Sequence, residues 1–146
     1  MKFATQKRVR FQHCDPAGIA FYPQFYVLLH EAQEDFLAHI GFAEPGLIAR
    51  GVGLPIVAMN TDFLGMCRHS DVLTVTLGLS RIGSASLGMH YEIHGAAPTA
   101  PGLSALKLSA DSVVVYSTVP QGKAMRIPDD LRRALQPYLQ SAPEAA

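Results

Sequence analysis

The sequence predicts an α+β fold in which helices are segregated from a run of antiparallel strands. Three observations carry this. Apolar residues recur at three-and-four spacing over one long segment, about residues 23 to 40; from about residue 55 the apolar period changes to two; and the links between the middle strands are short. At 146 residues the chain suits one domain with a sizeable core and is too short for two ordinary ones. A single domain over 1–146 is expected, with 141–146 as a loose, alanine-rich tail.

The elements follow in order. RVRFQH alternates, with Val9, Phe11 and His13 on one side, and reads as a first strand that Asp15-Pro16-Ala17-Gly18 stops. Pro23 suits a first helical turn, where its missing N–H would be unpaired anyway. From there Phe25, Leu28, Leu29, Ala32, Phe36, Leu37 and Ile40 form an apolar stripe, and Gly41 ends the helix. Residues 42 to 54, with Pro45, Gly46, Gly51 and Gly53, read as a loop with one short helical turn. LPIVAMNTDFLGMC is a less regular strand. DVLTVTLGLSRI and ASLGMHYEIH are the clearest strands, placing Leu73, Val75, Leu77 and Leu79, then Ala85, Leu87, Met89, Tyr91 and Ile93, on single faces. LKLSADSVVVYST is another, after the Pro/Gly-rich loop AAPTAPGL. The links CRHS and RIGS are expected to close hairpins. A last helix starts after Pro128, with Leu131, Leu135 and Tyr138 inward and Pro137 weakening its end.

Composition excludes several classes. Hydrophobic residues make up 49% and charged residues 16%, and 12 Lys+Arg balance 12 Asp+Glu, which argues against binding nucleic acid or membrane surfaces by charge. So sparse a charge hints that part of the apolar excess is covered in an oligomer. Two cysteines, Cys14 and Cys67, make no disulfide framework, and MKFATQKRVRF lacks the apolar segment of a secretory leader, so a cytoplasmic location is expected. No apolar run approaches the ~18 residues that span a bilayer.

The chemistry concentrates in HCDPAGIAFYPQFY, residues 13 to 26. Neighbouring strand residues point to opposite faces, so His13 would not activate Cys14, which reads as a small core residue. Asp15 precedes a helix whose first amides lack intrahelical acceptors, and such an N-terminus favours negative charge. Those amides can stabilise the oxygen of a polarised carbonyl. The plain alternative is that Asp15 is only a cap or turn residue. His90 and His94 share a strand face but lie ~13 Å apart, too far for one metal ion.

RVRFQHCDPAGIAFYPQFYVLLHEA resembles the start of the 4-hydroxybenzoyl-CoA thioesterase family of hotdog-fold enzymes, and the similarity continues through LPIVAMNTDF, SDVLTV, DSVVVY and RIPDDL, nearly the whole chain. The resemblance implies a curved antiparallel sheet of about five strands wrapped around one long central helix. It also implies a homodimer with active sites at the interface, and commonly a homotetramer. Asp15 falls on the family's catalytic aspartate, and Tyr22 on the residue whose backbone N–H faces the thioester carbonyl. The implied activity is hydrolysis of an aromatic, 4-hydroxybenzoyl-like, or short-to-medium-chain acyl-CoA, without cofactor or metal.

The chemistry is reasonable from first principles. A thiol is a good leaving group, and a carboxylate is ionised at neutral pH without a helper base, which fits the absence of a recognisable Ser-His-Asp set. Asp15 would attack the carbonyl or take a proton from an attacking water. Two departures matter. His30 stands where the family's helix carries an Asp, leaving the acyl group open; and Gly83-Ser84-Ala85 stand where relatives of the aromatic type place basic residues. Arg81, Arg126, Lys123 and Arg68 remain to hold the phosphates of coenzyme A. Phe21, Met59, Phe63 and Met66 are expected in core or pocket wall, and Asn60, Thr61 and Asp62 at the pocket border. Another hotdog branch uses a helix glutamate, which Glu31 or Glu34 would supply. The rival reading is a hotdog protein that binds acyl thioesters without turnover, or a partner-binding scaffold.

Overall fold

Two periodicities divide the chain into a sheet and a helix that packs on it. The computed structural model describes residues 1–96 and 105–141. In chain order the elements are β1 (Phe3–Arg8), α1 (Tyr22–His39), α2 (Glu44–Ala49), β2 (Val52–Gly53), β3 (Ile56–Phe63), β4 (Val72–Ile82), β5 (Ser86–His94), β6 (Leu106–Val115), β7 (Ser117–Thr118) and α3 (Asp129–Leu135). The expected loop over residues 97–104 and the tail over 142–146 lie outside the described residues.

Five strands form one antiparallel sheet in the order β1-β4-β5-β6-β3, and β2 pairs with β7 in a small ribbon. Leu73, Val75, Leu77 and Leu79 of β4 and Leu87, Met89, Tyr91 and Ile93 of β5 are buried, as their alternation required. Phe25, Leu28, Leu29, Ala32, Phe36 and Leu37 of α1 are buried with them. Each of the larger aliphatic and Phe side chains contributes on the order of 1.5–3 kcal/mol by leaving water. The 18 residues of α1 span about 27 Å, shorter than the eleven-residue β4, so the helix fits within the length of the sheet it packs on. This is the hotdog arrangement. Pro23 sits in the first turn of α1, and Gly41, at φ +89°, occupies the left-handed position that ends it.

Three expectations change. The first strand runs over Phe3–Arg8, not over RVRFQH; Phe3 pairs with Leu77 and Arg8 with Val72. After Val9 the chain turns, because His13 Nδ1 accepts the Arg10 N–H at 2.9 Å and closes a 3-10 turn over Phe11–His13. A local side-chain bond has displaced the strand, and Phe11 points out to solvent, 83% exposed. Second, CRHS joins no hairpin, since β3 pairs with β6 at the far edge while β4 lies between β1 and β5. β4, β5 and β6 each bury one face and take the inner positions; β3, mostly exposed, takes the outside. RIGS does link β4 to β5 as a hairpin. Third, LKLSADSVVVYST breaks at Tyr116, leaving Ser117–Thr118 to pair with β2.

Candidate active site

The segment before α1 folds back on itself. Phe21 N–H donates to the His13 carbonyl at 2.8 Å, Cys14 bridges Ala20, and Asp15 N–H donates to the Ile19 carbonyl at 2.9 Å. Gly18 closes this loop at φ +76°, a conformation that favours glycine. The ladder ties Asp15 to the start of the helix. The Asp15 carboxylate turns into its own loop through Oδ1, which accepts the Ala17 N–H at 2.9 Å and the Ile19 N–H at 3.4 Å. Asp15 is therefore a turn residue, as the plain reading expected, but only through one oxygen. Oδ2 makes no hydrogen bond among the described residues, and the residue is exposed in the single chain.

The start of α1 leaves the Tyr22 amide open. Phe21 occupies the N-cap without a side-chain cap bond, Pro23 has no N–H, and Gln24 N–H donates to the Phe21 carbonyl at 2.8 Å. Tyr22 N–H has no acceptor among the described residues, as expected of the first residue of a helix. Phe21 and Tyr22 meet with tilted rings at 5.4 Å, and Phe63 of β3 packs edge-on against Tyr22 and Tyr26 at 6.2 and 6.1 Å.

The remaining candidates divide. His30 Nε2 pairs with Glu34 at 3.1 Å on the exposed side of α1, with Glu44 nearby, and His30 also lines a cleft of about 260 Å³ between α1 and β3. Thr61 faces α1, its Oγ1 accepting the Tyr26 hydroxyl at 3.1 Å, whereas Asn60 faces the outer side of the sheet beside Asp111. Arg81 reaches Ser86 across the β4–β5 hairpin at 3.0 Å. Ile127 N–H donates to the Ser84 carbonyl at 2.8 Å, which seats Arg126 beside the same hairpin, paired with Asp129 at 3.1 Å. Arg68 lies beside the Asp15 loop through the Ile19–Arg68 bridge, and Lys123 sits on the turn after β7. Glu31 and Asp35 are held by Lys7, at 3.8 and 2.8 Å.

Neither cysteine is placed for nucleophilic work. Cys14 is half-buried with its thiol near the Arg10 carbonyl. Burial pushes the Cys67 thiol up to about 11, so it stays protonated. His90 Nδ1 is engaged by Asp111 at 2.9 Å. Reading the sequence missed Gln33. It sits in the apolar stripe of α1, is only 2% exposed, and accepts the Tyr91 hydroxyl at 3.2 Å. Its signal was there to find: a lone polar residue one turn from Leu29 and one from Leu37.

The sequence profile of the thioesterase-like superfamily matches residues 9–135. The chain belongs to this superfamily. It is a thioester hydrolase by family, as the D-P-A-G-I element led us to expect. A 4-hydroxybenzoyl-CoA thioesterase from Pseudomonas sp. (strain CBS-3) is 30% identical over 116 residues, covering 77% of this chain and 80% of that protein. A 1,4-dihydroxy-2-naphthoyl-CoA hydrolase from Thermosynechococcus vestitus is 28% identical over 153 residues, 97% of this chain and 90% of the relative. The crystal structure of a 1,4-dihydroxy-2-naphthoyl-CoA thioesterase from Synechocystis superposes with a TM-score of 0.81 at 25% identity, covering 93% of this chain and 96% of that one.

Proposed function

We propose that this thioesterase hydrolyses aromatic acyl-CoA thioesters as a homodimer, with Asp15 as nucleophile or general base and Tyr22 N–H as the oxyanion donor. The observation that carries the reading is a pair of open groups on one short ladder: an anionic oxygen, Asp15 Oδ2, and an unpartnered amide, Tyr22 N–H. The aromatic acyl groups named for two relatives support the substrate class. As nucleophile, Oδ2 attacks the thioester carbon, negative charge moves to the carbonyl oxygen facing the Tyr22 amide, and its return expels the thiolate, leaving an anhydride for water to open. As base, Oδ2 takes a proton from the water that attacks. Both routes use the same oxygen.

The oligomer follows from β3. Ile56, Val57, Phe63 and Leu64 are exposed on an edge that carries no further strand among the described residues, a surface that invites pairing with a second copy. Two such dimers would make the tetramer that the family resemblance implies. Arg81 and Arg126, beside one hairpin, are the proposed holders of the CoA phosphates, with Phe21, His30 and Thr61 around the acyl group. Asn60, on the outer face with Arg81, belongs with the carrier end. No helix among the described residues is long and apolar enough to cross a membrane; the cytoplasmic location remains part of the proposal.

A panel of acyl-CoA compounds, followed by free-thiol release, tests the reading. Turnover of aryl-CoA esters above aliphatic ones is expected. Thiol release from none of them would leave a binding protein and refute the proposal.

A further inference from the structure

Gln33 occupies a position where packing alone asks for an apolar side chain. Its neighbours on the buried stripe, Leu29, Ala32, Phe36 and Leu37, are all apolar, yet the amide is 2% exposed. Its Oε1 accepts the Tyr91 hydroxyl at 3.2 Å. The same hydroxyl lies 3.3 Å from Met89 Sδ, but a thioether is a weak acceptor, so the phenol's one proton goes to Oε1 and the two N–H groups of Nε2 are turned the other way. Burial pushes the Tyr91 phenol up to about 12, the nearby Ser112 hydroxyl opposing slightly, so the donor stays protonated. Nε2 makes no hydrogen bond among the described residues. Gln33 and Tyr91 line the cleft of about 260 Å³ whose other walls are Tyr26, Leu29, His30, Ile56 and Met59. Nε2 is not among the side-chain atoms sealed from solvent, so it is open to whatever fills the cleft. An apolar slot with one unpaired donor suits a ligand that brings the acceptor.

We propose that Gln33 determines acyl-group specificity: its Nε2 donates to a phenolic oxygen or ring carbonyl at the end of the acyl group remote from the thioester. This rests on the aryl-CoA reading above. Gln33 lies eleven residues beyond Tyr22, about 16 Å of helix rise, farther than a hydroxybenzoyl group extends. The Tyr26–Thr61 bond and the Phe63 ring stand between them. The cleft therefore serves the Tyr22 amide of a second copy. Phe63, at the end of β3, packs on Tyr22, whereas Ile56, at its start, lines the cleft. Pairing two β3 edges antiparallel about a twofold axis sets the start of one against the end of the other. Each Asp15–Tyr22 corner then faces the partner's Gln33.

The test compares kcat/KM for 4-hydroxybenzoyl-CoA and benzoyl-CoA, which differ by the one acceptor. The wild-type chain should prefer the hydroxylated ester by about tenfold or more, in keeping with a site built to bond a polar group. In Gln33→Leu the ratio should fall to near one. Because that change strands the Tyr91 hydroxyl, the double variant Gln33→Leu, Tyr91→Phe repeats the test on a repacked floor and should give the same ratio. A wild-type ratio near one, or an unchanged ratio in both variants, overturns the proposal. A wild-type chain that hydrolyses neither ester overturns the aryl-CoA reading instead. Assembly across the dimer is read from a mixed dimer of differently tagged Asp15→Asn and Gln33→Leu chains. It should show the wild-type preference, because the intact Asp15 meets the partner's intact Gln33. A ratio near one there would place both groups in one chain and contradict the trans arrangement.

Discussion

The sheet has two edges, and they are unlike. β1 alternates between half-buried and exposed residues: Phe3 packs on Phe36 at 5.6 Å, Lys7 pairs with Asp35 at 2.8 Å, and Thr5 donates to the same carboxylate at 3.1 Å. That edge is finished within the chain and guarded by charge. β3 shows solvent on both faces, with Val57 62% exposed and Asp62 its one charged residue. The candidate site lies on the unfinished side: the Tyr22 turn packs against Phe63, and the Gln33 cleft opens along Ile56 and Met59. The contrast teaches that the chain closes one edge by itself and leaves apolar surface open at the other, where the proposed dimer would pair.

Charge on β3 is the sharpest way to break this contrast. Val57→Lys should halve the mass seen by light scattering and lower kcat/KM by about tenfold or more, while thermal unfolding of the chain changes little. A wild-type chain that is monomeric, or a dimer indifferent to this change, would remove β3 from the account. The opposite pattern is expected at β1. Phe3→Ala, which opens space over Phe36, should cost about 1–3 kcal/mol in urea unfolding, less than a fully buried Phe because Phe3 is only half-buried. Its mass should not change.

A smaller effect comes from pH. Cys67 and Tyr91 are buried neutral, pushed up to about 11 and about 12 from ordinary values of 9.0 and 10.0. The folded state holds these protons more tightly than the unfolded one, so their contribution is complete below pH 9 and is lost as pH rises through 11 and 12. The urea midpoint should fall from about pH 9 upward, and Cys67→Ala should delay that fall toward pH 10. A decline starting at the same pH in both would contradict the assignment. Smallest of all is Lys7→Ala, which breaks a half-buried pair with Asp35 and is expected to cost about 1 kcal/mol and to leave the mass unchanged.

Much of this was legible in the chain. The apolar stripe from Phe25 to Leu37 and the alternation of β4 and β5 are strong periodic signals, and burial follows them. The Asp15 turn was readable because Asp-Pro-x-Gly carries its own geometry. The place of β3 was not, because strand pairing is a contest among all strands for partners and adjacency in sequence decides only the hairpins. Nor was the 3-10 turn at Phe11, which depends on one bond from Arg10 N–H to the ring of His13. Gln33 escaped because a helix stripe tolerates one polar member, and the role proposed for it comes only from its Nε2 beside an apolar cleft.

The most direct measurement is the rate of free-thiol release from 4-hydroxybenzoyl-CoA by wild type and Asp15→Asn at equal folded concentration. Removing the one open carboxylate oxygen while keeping the turn's Oδ1 bonds should lower kcat by about 10²-fold or more, with dimer mass and unfolding midpoint unchanged. An Asp15→Asn chain that releases thiol at the wild-type rate would contradict the account.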